Sequence, residues 1–171
     1  MQVDLKKDMT EIRAMLVEGV RKYAEKHVHP KAKAKFGPVT AIAVVFDCGT
    51  GARVSLNFET RLDYEPDGTW THTALVELDR PNWEQAYEAL EEKGVQFILL
   101  NGNPKKLKAG TDDEKYIEVF GEALVSLLKE SRDSGVFATL PRAPRCELFV
   151  EEQTGMFAWP WYENRGKDNL I

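Results

Sequence analysis

Cysteine is scarce in this chain: Cys48 and Cys146 are the only two in 171 residues. A small secreted domain framed by disulfides uses more. Both cysteines sit in apolar, strand-like contexts, so the sequence predicts two reduced, partly buried thiols and a cytoplasmic setting. Long apolar runs are missing as well. None approaches the roughly 20 residues that span a bilayer, so no membrane segment is expected. Residues 1–8 carry Lys6 and Lys7 with no apolar stretch behind them, so no secretory signal is read. Histidine is limited to His27, His29 and His72. A metal site would therefore have to recruit carboxylates, and no metal or other cofactor is implied.

The familiar chemical motifs are absent too. The only Gly-x-Gly, at 49–51, joins two expected strands and lacks a Lys-Ser or Lys-Thr pair, so it is no phosphate loop. There is no Gly-x-Ser-x-Gly elbow and no His-Glu-x-x-His. Cys48 with His72 is a conceivable nucleophile pair within one set of strands, and Glu59 with Asp63 a conceivable carboxylate pair. Neither spacing is distinctive, and no catalytic residue is assigned.

What is present is an ordinary globular composition, with 43% hydrophobic and 30% charged residues. The length suits one domain over 1–171, with 164–171 expected to fray. The net charge of −5 is unevenly spread. Six basic residues face one acid over 21–35. Four acids and no Lys or Arg occupy 146–163, and four acids with Arg61 occupy 59–67. An acidic balance argues against nucleic acid as the main partner, because phosphate recognition needs a basic field.

Residues 4–28 place Leu5, Met9, Ile12, Leu16, Val20, Tyr23 and His27 three or four apart, the stripe of an amphipathic helix. Pro30 stops it. Residues 40–46 are apolar almost throughout, as a strand covered on both faces requires. Residues 52–60 alternate, with Val54, Leu56 and Phe58 opposed to Arg53, Ser55, Asn57 and Glu59. With 69–78 these predict a three-stranded meander. Pro81, preceded by Asp79 as cap, opens a second helix that Gly94 ends. Residues 95–100 fit either a strand or a helical continuation. Residues 101–108 read as a lysine-rich loop. Thr111 and Glu114 then form a capping box for a third helix carrying Ile117, Phe120, Leu124, Leu127 and Leu128. Residues 145–150 and 156–161 predict a closing hairpin whose last strand, holding Pro160, lies at an edge. The whole reads as an α+β fold: an antiparallel sheet of about five to six strands, with helices packed mainly on one face.

The closing hairpin interleaves rings and acids. Trp159, Trp161 and Tyr162 stand near Glu147, Glu151 and Glu152, a composition that suits a basic protein partner. The same aromatics also suit a closed sheet edge, and the sequence leaves both readings open. Asp63, Tyr64, Glu65 and Asp67 form a second candidate surface.

The order of helix, meander running into Asp67-Gly68-Thr69-Trp70, helix, capped helix and hairpin is similar to the small acidic immunity proteins that neutralise bacterial polymorphic toxins. The path through Gly135 into 146–150 and 156–161 carries most of that similarity. The resemblance implies tight binding that occludes a toxin, often a nuclease, and transfers no individual contact residue; an acidic chain without catalytic motifs suits that role. A monomer or weak dimer is expected, with no membrane or nucleic-acid partner. A stand-alone small-molecule-binding or regulatory domain is the second reading, and an enzyme of unrecognised type the third.

Overall fold

A computed structural model describes residues 1–27, 37–60, 76–159 and 170–171. A short strand β1 (Gln2–Asp4) leads into α1 (Leu5–His27). Asp4 Oδ1 accepts from the Lys7 backbone N–H at 3.1 Å, which satisfies one of the otherwise unpaired amides of the first turn. The expected stripe is buried from Leu5 to Tyr23. Gly19 sets how closely α1 rides on the sheet: a Cβ there would lie 2.6 Å from Leu56 Cδ2 and 3.2 Å from Val76 Cγ2.

The meander is present. Strand β2 (Val39–Asp47) pairs antiparallel with β3 (Arg53–Thr60), and β3 pairs antiparallel with β4 (Val76–Asp79). Gly51 takes φ +73° in the β2–β3 turn, where any Cβ would be strained. Trp70 and His72, expected on the third strand, lie outside the described residues. Helix α2 (Pro81–Glu92) begins at its proline, but Arg80 takes the cap position and no side chain caps it; Asp79 belongs instead to β4. Gly94, at φ +71°, donates its N–H to the Ala89 carbonyl and closes the helix as expected.

After α2 the chain departs from the expected layout. Residues 95–100 contain a strand, β5 (Val95–Ile98), which runs parallel to β1. The lysine-rich segment is also a strand, β6 (Pro104–Leu107), antiparallel to β5. Edge strands favour Lys and tolerate Pro, so a sequence that reads as a wet loop also satisfies an edge. Strands β1, β5 and β6 form a separate three-stranded sheet. The capping box does not form: Asp112 is the cap residue of α3 (Asp113–Asp133), and the Thr111 hydroxyl donates to the Lys108 carbonyl at 2.6 Å.

The larger sheet has five strands, ordered β4-β3-β2-β7-β8, where β7 is Arg142–Glu152 and β8 is Ala158–Trp159. It is mixed, not wholly antiparallel, because β7 runs parallel to β2. Strand direction is not encoded in alternation. It follows from the connection, and the four strands and two helices between β2 and β7 give the chain ample length for a crossover. The β2–β7 register shifts between Val39 and Ala41, at the part of β7 that holds Pro144. The hairpin β7–β8 is present, and Leu170 bridges back to Glu147 from the end of the stretch expected to fray.

Alternation gives this sheet two different faces. Ile42, Val44, Phe46, Val54, Leu56, Phe58, Leu148 and Val150 share the face that packs on α1 and α3 and joins the main core. Between the helices and the small sheet, Trp83, Phe97, Tyr116 and Phe120 stack with centroids 4.3 to 5.8 Å apart. The Tyr116 hydroxyl donates to the Trp83 carbonyl at 2.6 Å.

One polar cluster is buried within this core. Asp8, in the first turn of α1, accepts from Arg80 Nη2, from Asn82 Nδ2 at 3.0 Å and from Trp83 Nε1 at 2.7 Å. Arg80 also donates from Nη1 to Glu11 at 2.6 Å, and its backbone N–H donates to Ala52 at 2.7 Å. Removing Asp8 leaves the indole N–H without its acceptor and the buried guanidinium with Glu11 as its remaining counter-charge. We expect Asp8→Ala to lower unfolding free energy by about 3–5 kcal/mol in denaturant titrations. A loss below about 1 kcal/mol would mean that the cluster does not hold α1 in place.

Candidate partner-binding surface

The face of the large sheet turned away from α1 and α3 carries the chemistry of interest. Its residues follow from the strand registers, row by row. Glu59, Ala41 and Glu147 lie across one row, and Asn57, Ala43 and Phe149 across the next. Glu77, Ser55, Val45, Glu151 and Ala158 form the third, and Asp79, Arg53 and Asp47 the fourth. Six carboxylates and one guanidinium therefore share one face. Along the rows no two acids are direct neighbours: Ala41 or Arg53 intervenes, or a longer neutral stretch. Strands about 4.8 Å apart put such acids about 10 Å from each other. At that separation the repulsion along a row is modest in salt; along β4, Glu77 and Asp79 are closer, about 7 Å apart.

Burial varies across this face. Ala41, Ala43, Asn57 and Glu59 are buried, whereas Arg53, Glu77 and Asp79 are exposed. Val45, Asp47, Ser55, Glu147, Phe149 and Glu151 are half-buried. Toward the β3–β4 side lies a depression of about 230 Å³, bounded by Val45, Asp47, Arg53, Ser55, Asn57, Glu77 and Gln153. The Ser55 hydroxyl donates to the Val45 carbonyl at 3.3 Å, and Asn57 Nδ2 donates to Ser55 Oγ at 3.2 Å. Arg53 Nη2 reaches Gln153 Oε1 only at 3.5 Å, a long contact that leaves the guanidinium loosely held.

The residues singled out in the closing hairpin do not form one patch. Glu147 and Glu151 lie on the acidic face, but Glu152 and Trp159 have the opposite parity. Glu152 is 3% exposed and holds the hairpin turn: its Oε2 accepts from Thr154 N at 2.8 Å, Thr154 Oγ1 at 2.5 Å and Met156 N at 3.4 Å. Trp159 pairs with Val150 and packs toward α3, with Lys129 Nζ 5.0 Å from its ring centroid. Phe157 lies on the same side, against Phe46 and close to Gly121. Neighbours in sequence become opposite faces in a strand, which is why one composition gives two surfaces. Trp161 and Tyr162 lie outside the described residues, as do Asp63, Tyr64, Glu65 and Asp67.

The acids of β2 and β4 are the part that sequence reading missed. The alternation of β3 already placed Arg53, Ser55, Asn57 and Glu59 together. Only the cross-strand register brings Asp47, Glu77 and Asp79 beside them.

The thiols offer no competing site. Cys48 and Cys146 are both free and buried. Burial, the largest cause, pushes the Cys146 thiol up to about 12 and raises Cys48 strongly. Both stay protonated at neutral pH and are weak nucleophiles. Among the described residues no helix is long and apolar enough to cross a membrane.

Two measurements check these placements. In the folded protein at mildly alkaline pH, iodoacetamide should label neither cysteine within the time that labels both in denaturant; mass spectrometry reads the difference, and rapid native labelling would contradict the burial. Glu152→Ala should cost about 1–3 kcal/mol of stability, since it leaves the hairpin's amides without their acceptor. An unchanged denaturant midpoint would show that the turn stands without it. Set against protein-family models, curated proteins and solved structures, the chain matches none.

Proposed function

We propose that this protein is a non-catalytic binding module, of the immunity type, that presents the acidic sheet face to a basic bacterial protein and blocks it by occlusion. The observation that carries the reading is the concentration of Asp47, Glu59, Glu77, Asp79, Glu147 and Glu151 on a single face around one arginine. A nuclease toxin presents cations where it holds phosphate, so complementary carboxylates both speed encounter and favour a surface that covers its active site. A five-stranded sheet with helices on its other side is also rigid, which reduces the ordering cost of binding. Within the hairpin, Glu147 and Glu151 serve the interface. Glu152 and Trp159 serve the fold.

The partner is to be identified by affinity capture from the source cells, and an immunity role further requires that the adjacent gene encode it. Surface plasmon resonance at two salt concentrations then tests the face. Glu77→Lys with Glu151→Lys should slow association about tenfold or more and flatten its salt dependence, while circular dichroism stays unchanged. Unaltered association by the folded double variant would move the interface off this face and sink the proposal.

A further inference from the structure

We infer that the depression beside Arg53 is a socket for one arginine side chain of the partner. The inference rests on the acidic-face reading and gives it a definite anchor. Carboxylates alone would not make such a site, but an amide points the same way. Asn57 is 5% exposed, and its only hydrogen bond runs from Nδ2 to Ser55 Oγ. Its Oδ1 has no hydrogen-bond partner among the described residues. Two side-chain polar atoms there are sealed without a partner, Arg80 Nε and Ser131 Oγ. Asn57 Oδ1 is not one of them and so is not sealed off, and Asn57 lines the depression. An amide acceptor in a pocket lining is satisfied by a donor that enters.

The surrounding groups specify which donor. Glu77 supplies one carboxylate, Asp47 a second whose Oδ1 also accepts from the Gly49 backbone N–H at 2.8 Å, and Gln153 a carbonyl. These acceptors come from three places in the sheet, β4, the end of β2 and the residue after β7, and so are spread across the depression. Guanidinium offers five N–H donors in a planar fork, whereas ammonium is a compact point charge, so dispersed acceptors suit arginine better than lysine. Arg53 is the resident rival: it is a guanidinium on the same rim, held only by its long contact to Gln153 and exposed. An incoming arginine displaces it toward solvent and takes the acceptors.

The test needs no partner. Nα-acetyl-arginine methylamide is titrated into the whole protein, and backbone and Asn57 side-chain amide shifts are followed by NMR. Saturable shifts centred on Ser55, Asn57 and Glu77 are expected. Glu77→Gln should weaken the probe about fivefold, by removing a charge-assisted bond. Arg53→Gln should tighten it about threefold, by removing a like charge. Asn57→Ala should abolish the localised shifts; because Asn57 is buried, the exposed Glu77 and Arg53 variants keep the test valid if that variant unfolds. Absence of shifts, shifts spread evenly over every acid, or stronger binding of Nα-acetyl-aspartate methylamide at the same residues would each overturn the socket. If charge reversal on the face abolishes partner binding but the probe finds no site, the socket alone fails. If the probe binds as expected but partner association ignores the face, the interface reading fails, and the depression binds arginine without receiving the partner's.

Discussion

Asp8 ties three parts of the chain together. It sits in the first turn of α1, yet its carboxylate is shared by Arg80, Asn82 and Trp83 at the junction of β4 and α2. Arg80 extends the link to the β2–β3 turn through its backbone bond to Ala52, and a cation–π contact of 5.5 Å to Trp83 holds its plane. Such a pair is costly to bury, and a well-packed apolar replacement often gives equal or greater stability. Its contribution is positional. A helix that slid or rotated along the sheet would leave a buried guanidinium and an indole N–H unpaired, a penalty that selects one register among several that apolar packing alone would tolerate. Arg80 Nε, buried with no partner among the described residues, shows that even this arrangement satisfies the guanidinium incompletely.

That single register decides which sheet face α1 and α3 leave uncovered. With α1 seated on Leu56 and Val76 through Gly19, and α3 against Phe157 through Gly121, every even-numbered position of β2 from Ile42 to Phe46 goes to the core. The odd positions of β2, with their partners on β3, β4 and β7, go to the other side together. Parity is all or nothing: a slip of one residue would turn the acids inward and the aliphatic residues out. The acidic face and the core are therefore specified by the same alternation, and the Asp8–Arg80 link helps to keep α1 on its side.

Legibility in the sequence followed the range of the interaction. The stripe of α1, the meander, the second helix with its Gly94 stop and the apolar face of α3 were readable, because each depends on residues a few positions apart. The parallel pairing of β2 with β7 was not, since it depends on how a connection of nearly a hundred residues returns. Local signals also misled where two structures share one composition. Lys105 and Lys106 suit a solvated loop and an edge strand equally, and the Thr111 hydroxyl, expected to accept from a first-turn amide, instead donates to the Lys108 carbonyl.

The same limit explains how far the site was legible. Acid content near the C-terminal hairpin drew notice, but composition carries no parity, so Glu151 and Glu152 read as one feature. The structure gives them opposite tasks: one belongs to an acidic surface, and the other is buried to hold the turn that aligns that surface's strand. Asp47, Glu77 and Asp79, each unremarkable in its own segment, become a feature only through β3. Within a row the acids of this face stand at least about two strand spacings apart, with Ala41 or Arg53 between the nearest pairs. Glu77 and Asp79, by contrast, are only about 7 Å apart along β4. Repulsion is thus small across the strands and concentrated at that edge, and the acids add to one summed field.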